Sequence, residues 1–151
     1  MNNRMLDPML DNLSSETCLD LLRIHLVGRI SVVVDEFPIV MPVNYRLVET
    51  HDSRWIVIRT RVGNEIDRGA VNAAFQIDNV DPANRTGWSV LVRGELSHVD
   101  DDTIRRVKEQ FDPLPWAPGR DSWLALQVTQ ITGRRLRRAD TEWAFHVRGY
   151  L

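Results

Sequence analysis

The chain has almost no lysine and almost no cysteine. Lys108 is the only lysine among 19 basic residues, and Cys18 is the only cysteine. A single cysteine excludes an internal disulfide framework and a cysteine-based zinc site. It falls in an apolar helical pattern, which reads as a buried, inert thiol. With so little lysine, any grip on an anionic ligand must come from arginine or from backbone N–H groups, and the planar arginine fork suits phosphate. Net charge is small, −2 at pH 7, so no global field draws the chain to nucleic acid or to an anionic membrane. No stretch approaches the roughly 20 apolar residues that span a bilayer. The N-terminus shows no basic segment followed by an apolar run, so no signal peptide is expected. The expectation is a soluble, cytoplasmic protein.

Several chemistries also lack their residues. His25, His51, His98 and His146 are scattered, and none lies near a recognisable nucleophile elbow. No His, Cys, Asp and Glu set has metal-ligand spacing, and no Gly-rich nucleotide loop is present. Covalent and metal-dependent hydrolysis are therefore disfavoured. The cluster Arg134-Arg135 and Arg137-Arg138 has no interleaved aromatics and reads as a solvated strand end rather than a nucleic-acid patch.

What is present fits one domain over residues 1–151, with 43% hydrophobic and 26% charged residues. Residues 1–13 show no clear period and read as an arm. Ser14 caps a helix whose stripe includes Leu19, Leu22 and Leu26, and Gly28 is a plausible stop. Strands follow over 29–34, 39–48, 55–60, 71–80 and 88–99, with a short helical insert at 64–69. Asp100 to Thr103 open a second helix reaching Phe111. A loop with three prolines precedes a sixth strand over 122–135. Residues 136–151, with Trp143, Phe145 and Tyr150, read as a segment that docks on the body or on a partner. Short turns imply antiparallel pairing. The fold class is mainly β, a six-stranded closed or partly closed barrel with flanking helices.

Three stretches carry more than packing. In Pro42-Val43-Asn44 a proline sits inside a strand, which marks an edge or an irregularity and leaves backbone groups free for the rim of a ligand. Ile58-Arg59-Thr60, followed by Gly63-Asn64, ends a strand in a cation and a hydroxyl beside a turn, a combination able to hold phosphate. In Gly87-Trp88-Ser89 the glycine permits close approach and the indole offers a flat face. Each also has a plainer reading, as a solvated strand end, a bulge or a core aromatic.

Taken in order, these marks resemble the pyridoxamine 5′-phosphate oxidase-like, flavin-binding split-barrel family, especially its small actinobacterial members. The resemblance runs from about Glu16 to Arg134 and includes Val27-Gly28-Arg29-Ile30, Phe75-Gln76-Ile77-Asp78, Pro115-Trp116-Ala117-Pro118-Gly119 and Ile131-Thr132-Gly133-Arg134. It implies a six-stranded antiparallel split barrel and a homodimer with FMN in grooves between the subunits. The flavin ring would lie against Pro42, Val43 and Asn44. Its phosphate would lie near Ile58, Arg59, Thr60 and Asn64, with Trp88 and Ser89 supplied by the second subunit. The function implied is a flavin-dependent oxidoreductase acting on a small molecule that the sequence does not identify. One departure stands out: Glu65 occupies or adjoins a place where relatives commonly carry lysine. That carboxylate favours a weak or empty site, and with it one alternative, a non-catalytic dimer with a degenerate cofactor site; the other alternative is a deazaflavin-dependent reductase on the same barrel, whose longer anionic tail would call for a more basic groove mouth.

Overall fold

Alternating apolar and polar residues drive much of the chain into strands. The computed structural model describes residues 9–138. In chain order they form β1 (Leu10–Leu13), α1 (Ser15–Ile24), β2 (Val27–Val34), β3 (Phe37–Glu49), β4 (Arg54–Thr60), β5 (Val71–Asp81), β6 (Thr86–His98), α2 (Asp101–Phe111) and β7 (Ser122–Leu136). The outer parts of the expected N-terminal arm and C-terminal docking segment, with Trp143, Phe145 and Tyr150, lie outside the described residues.

Six strands close a ring in the order β7-β4-β3-β2-β5-β6, with β6 returning to β7, and every pairing is antiparallel. The mainly β, split-barrel architecture expected from the sequence is therefore present. The strand count is seven rather than six. β1 lies inside the stretch read as an arm and pairs with the far end of β7, Leu10 opposite Leu136 and Leu13 opposite Gly133. Four residues are too few to show a period, so pairing rather than pattern makes this strand.

The ring is split at β3, which changes partner part-way along. Residues 37–44 pair with β2, from Phe37 opposite Val34 to Asn44 opposite Val27. Residues 45–49 pair with β4, from Tyr45 opposite Ile58 to Glu49 opposite Arg54. The Tyr45 N–H donates to the Leu26 carbonyl at 3.0 Å, on the β2 side. Backbone groups alternate sides along a strand. Pro38, Val40, Pro42 and Asn44 therefore turn theirs away from β2, toward an edge that no other strand among the described residues covers. Both prolines fall where an N–H would have faced this edge, so neither removes a ladder bond. Both also deny the edge to a stray strand.

The core fills the barrel with Ile30, Tyr45, Ile56, Ile58, Phe75, Leu96 and Leu124 among others. The rings of Tyr45 and Phe75 meet edge to face at 4.7 Å. The Tyr45 hydroxyl donates to the Leu22 carbonyl at 2.9 Å, tying α1 over one end. Cys18 is buried on that helix, and burial raises its thiol pKa, as expected of an inert cysteine. A second, smaller cluster of Val48, Val57 and Trp123 sits on the outer face, with Ile104 and Phe111 of α2 packed against it.

Gly28 is not a helix stop. α1 ends at Ile24, and Gly28 is the second residue of β2. A Cβ there would overlap the Phe75 ring and come within 2.9 Å of the Gln76 carbonyl oxygen, so the glycine is required by close approach. Gly28→Ala is expected to lower unfolding free energy by about 1–3 kcal/mol, the usual range for overpacking a core. Urea denaturation followed by circular dichroism checks this, and an unchanged midpoint would show that β2 can move off the ring.

Candidate functional site

The split in the barrel opens into a groove of about 560 Å³. Ligand clefts run roughly 300–1,000 Å³. One wall is the free edge of β3, with Pro42 and Asn44. The far end is Arg59, Thr60 and Asn64, and the opposite wall is the 112–121 loop, with Trp116 and Arg120. Six of the nine site residues expected from sequence (Pro42, Val43, Asn44, Arg59, Thr60 and Asn64) are therefore brought together. A larger hollow of about 730 Å³ crosses β2, β5, β6 and β7, but its single arginine, Arg93, shares it with Glu95. Strand edges are open there too, since β2 pairs with β5 only over Arg29, Ile30 and Ser31, but no arginines converge on them.

The remaining three expected residues are placed elsewhere. Ile58 points into the barrel and is fully buried in the main core. Trp88 and Ser89 lie on β6, away from the groove. Trp88 packs on His25 with ring centroids 4.9 Å apart, and Ser89 stands opposite Arg134. Val43 lines the groove, but its backbone faces Gly28 of β2. The strand's own groove-facing backbone groups are the Pro42 carbonyl and the Asn44 N–H and carbonyl.

Arg59 projects outward from β4 and is held on several sides. Its Nη1 donates to both carboxylate oxygens of Asp112, at 3.0 and 3.1 Å. Its Nε donates to the Arg120 carbonyl at 2.9 Å. The guanidinium lies 5.1 Å from the Trp123 ring centroid. Nη2 has Asp121 at 3.9 Å. Arg59 and Asp112 are 18% and 15% exposed, so this ion pair is much less screened than a surface one.

The loop after α2 is folded by the same contacts. Asp112 Oδ1 also accepts the Leu114 N–H at 3.0 Å, and Leu114 takes a positive φ of 49°. Two residues on, the Trp116 N–H donates to Asn44 Oδ1 at 3.0 Å, pinning the loop to the edge of β3. Arg120 was not singled out from sequence. Its signal was its place in the proline-rich stretch before the last strand, where a loop must return over the barrel mouth. Arg120 lines the groove, and its side chain has no ion pair or hydrogen bond among the described residues. Arg61 and Arg68 are exposed and do not line the groove, and neither does Glu65.

The insert at 64–69 is a pair of turns rather than a helix, with the Asn64 N–H on the Arg61 carbonyl and the Asp67 N–H on the Asn64 carbonyl. Asp67 organises it from within. Its carboxylate accepts the Gly63 N–H at 2.8 Å and the Ser122 hydroxyl at 2.9 Å, and closely contacts His98 Nε2. Ile66 is buried beneath as a plug. These bonds compete successfully with a helical turn and fix Asn64 at the groove. They hold the Asp67 pKa below the usual carboxylate range, through the Gly63 N–H first and then His98 and Ser122.

The comparisons agree with this architecture. Residues 14–135 match the family model described as pyridoxamine 5′-phosphate oxidase. The chain belongs to the pyridoxamine 5′-phosphate oxidase-like family. An uncharacterised Mycobacterium tuberculosis protein is 32% identical over 119 residues, covering 72% of this chain and 74% of that one. A structure described as the FAD binding protein from Mycobacterium smegmatis is 31% identical, with a TM-score of 0.63 over 85% of this chain and 99% of the other. A conserved protein of unknown function from Corynebacterium diphtheriae shares the fold, with a TM-score of 0.72 at 24% identity over 85% and 98% of the two chains. The span matched by the pyridoxamine 5′-phosphate oxidase model runs from before α1 to the end of β7, so it takes in every wall of the groove.

Asp67 gives the site a pH dependence of definite sign. Its pKa is lower in the folded state than the roughly 3.9 of an unfolded aspartate. Its contribution is therefore complete above about pH 5, where an unfolded aspartate is also ionised, and is lost as pH falls through the lowered folded value. Asp67→Asn is expected to destabilise the protein at pH 7 by about 1–2 kcal/mol, through weakened bonds to Gly63 and Ser122. The deficit relative to wild type should shrink between pH 5 and pH 3. Urea melts across that range check this, and a deficit constant with pH would place the Asp67 carboxylate outside the stability balance.

Proposed function

We propose that the groove binds a flavin nucleotide and that the protein is a flavin-dependent oxidoreductase working as a homodimer on a small-molecule substrate. The observation that carries this reading is the joining of an open strand edge to a cluster of phosphate-suited groups across one cleft. A flat heterocycle with a polar rim needs donors and acceptors in a line, and the Pro42 carbonyl and Asn44 N–H supply them. An anionic tail needs cations and hydroxyls at one end, and Arg59, Arg120, Thr60 and Asn64 stand there. The residues present therefore fit the group. The family, and a relative at 31% identity described as FAD-binding, support the same choice.

FMN is the form proposed, since the groove joins one flat wall to one cluster of anion-suited groups. FAD and FMN share the ring and the first phosphate. When bound, the flavin supplies the electron chemistry, and the chain's own residues bind, orient and shield it. Trp88 and Ser89 are too far round the barrel to line the groove of their own subunit. Their role in the proposal is to close the groove of a second copy, which makes the dimer part of the site.

Titration of the purified protein with FMN, FAD, riboflavin and a deazaflavin, followed by flavin fluorescence, tests the reading. The expected result is saturable binding of FMN at one per subunit, with the protein eluting as a dimer. Saturation by the deazaflavin alone would replace the cofactor. Absence of binding by all four would favour a barrel without one. A monomer that binds FMN would remove Trp88 and Ser89 from the site.

A further inference from the structure

Two arginines reach the anion-suited end of the groove, and the structure gives them different work. This inference rests on the flavin reading and asks which side chain meets the phosphate. Arginine has five N–H donors in a rigid fork. On Arg59, Nε is committed to the Arg120 carbonyl and Nη1 to both oxygens of Asp112. Nη2 lies beside a further carboxylate, that of Asp121. Asp112 is not among the residues lining the groove, and its carboxylate fixes the position of Arg59 while offsetting its charge. Arg120 lines the same end with its guanidinium uncommitted, and its backbone is what Arg59 Nε holds.

We propose that Arg120 is the phosphate-contacting residue and that the Arg59–Asp112 pair is a positioning device that sets the 112–121 loop so that Arg120 and Trp116 stand over the groove. The pair joins β4 to the end of α2, 53 residues apart in sequence. The Trp116 N–H on Asn44 completes the tie on the opposite wall. A charge-neutral strut suits this task. An unpaired Arg59 would be drawn toward an incoming phosphate and would carry the loop with it. The paired one stays in place and leaves recognition to the free cation.

The test compares FMN with riboflavin, which lacks the phosphate, on wild type and on Arg120→Gln, Arg120→Lys, Arg59→Gln and Asp112→Asn. Arg120→Gln is expected to weaken FMN at least about ten-fold, the loss of one hydrogen bond to a charged group, and to leave riboflavin within about two-fold. Arg120→Lys should restore part of the FMN affinity. Asp112→Asn and Arg59→Gln should weaken FMN and riboflavin by similar factors, because both loosen the same loop. Circular dichroism melts confirm that each variant is folded, and Asp112→Ser replaces Asp112→Asn if it is not. Selective tightening of FMN by Asp112→Asn would overturn the proposal, because it would mean that Arg59 is the grip and Asp112 its restraint. An unchanged FMN-to-riboflavin ratio in Arg120→Gln would overturn it too. If neither flavin binds wild type, the flavin reading fails on its own. Thermal stabilisation by inorganic pyrophosphate then decides this proposal: stabilisation lost in Arg120→Gln upholds it, and its absence in wild type overturns it.

Discussion

The change of partner in β3 is the constraint on which the molecule turns. One strand of thirteen residues serves β2 with its first eight and β4 with its last five. A barrel that paired all its strands throughout would have no edge and no opening. Here the edge is left open for four backbone positions, and two of them are prolines. Tyr45 stands at the changeover. Its ring packs on Phe75, its N–H reaches Leu26 and its hydroxyl reaches Leu22. The open edge is therefore rooted in one of the most deeply buried side chains of the core, and its geometry is as stable as the core.

Charge is arranged to brace the walls rather than to create a field. Arg23 on α1 gathers Glu16, Asp20 and Glu49, and Arg29 on β2 meets Asp78 on β5. These pairs are largely exposed, and each is worth little to stability. Arg59 with Asp112 is different. Both partners are mostly covered and doubly bonded, and the arginine lies on Trp123, so the pair defines where the returning loop sits. Besides the Arg59 contacts, the 112–121 loop is held by the Trp116 N–H on Asn44 and by the burial of Pro113.

Sequence was a good guide where a property repeats and a poor one where it depends on a distant partner. Alternation revealed the six ring strands to within two residues, because each has a buried and a solvated face. The turn between β2 and β3 is only Asp35-Glu36, both at positive φ as a two-residue hairpin loop requires, so β3 begins two residues before its alternation does. Pro42 announced an edge, and the register shows which one. Gly28 misled because a glycine after a helical run resembles a stop, while its true reason, the Phe75 ring, lies 47 residues away. The insert at 64–69 misled because Asp67 is held by partners outside the segment, the Gly63 N–H, the Ser122 hydroxyl and His98, which a local pattern does not show. The commitment of Arg59 to Asp112 and the free state of Arg120 had no local signature at all. Both follow from a loop closing over the barrel.

The composition of the groove limits what the chain itself can contribute. Among the described lining residues there is no aspartate, glutamate, histidine, cysteine, lysine or tyrosine. The polar side chains present are asparagine, threonine, arginine and an indole, all of which donate or accept hydrogen bonds without exchanging a proton near neutral pH. General acid–base catalysis requires a positioned group that can gain or lose a proton under working conditions. The described walls of this cleft supply no such group. They set its width and place two arginines along it. That arrangement matches a barrel whose most exacting packing, at Tyr45, Phe75 and Gly28, maintains a slot rather than a reactive side chain.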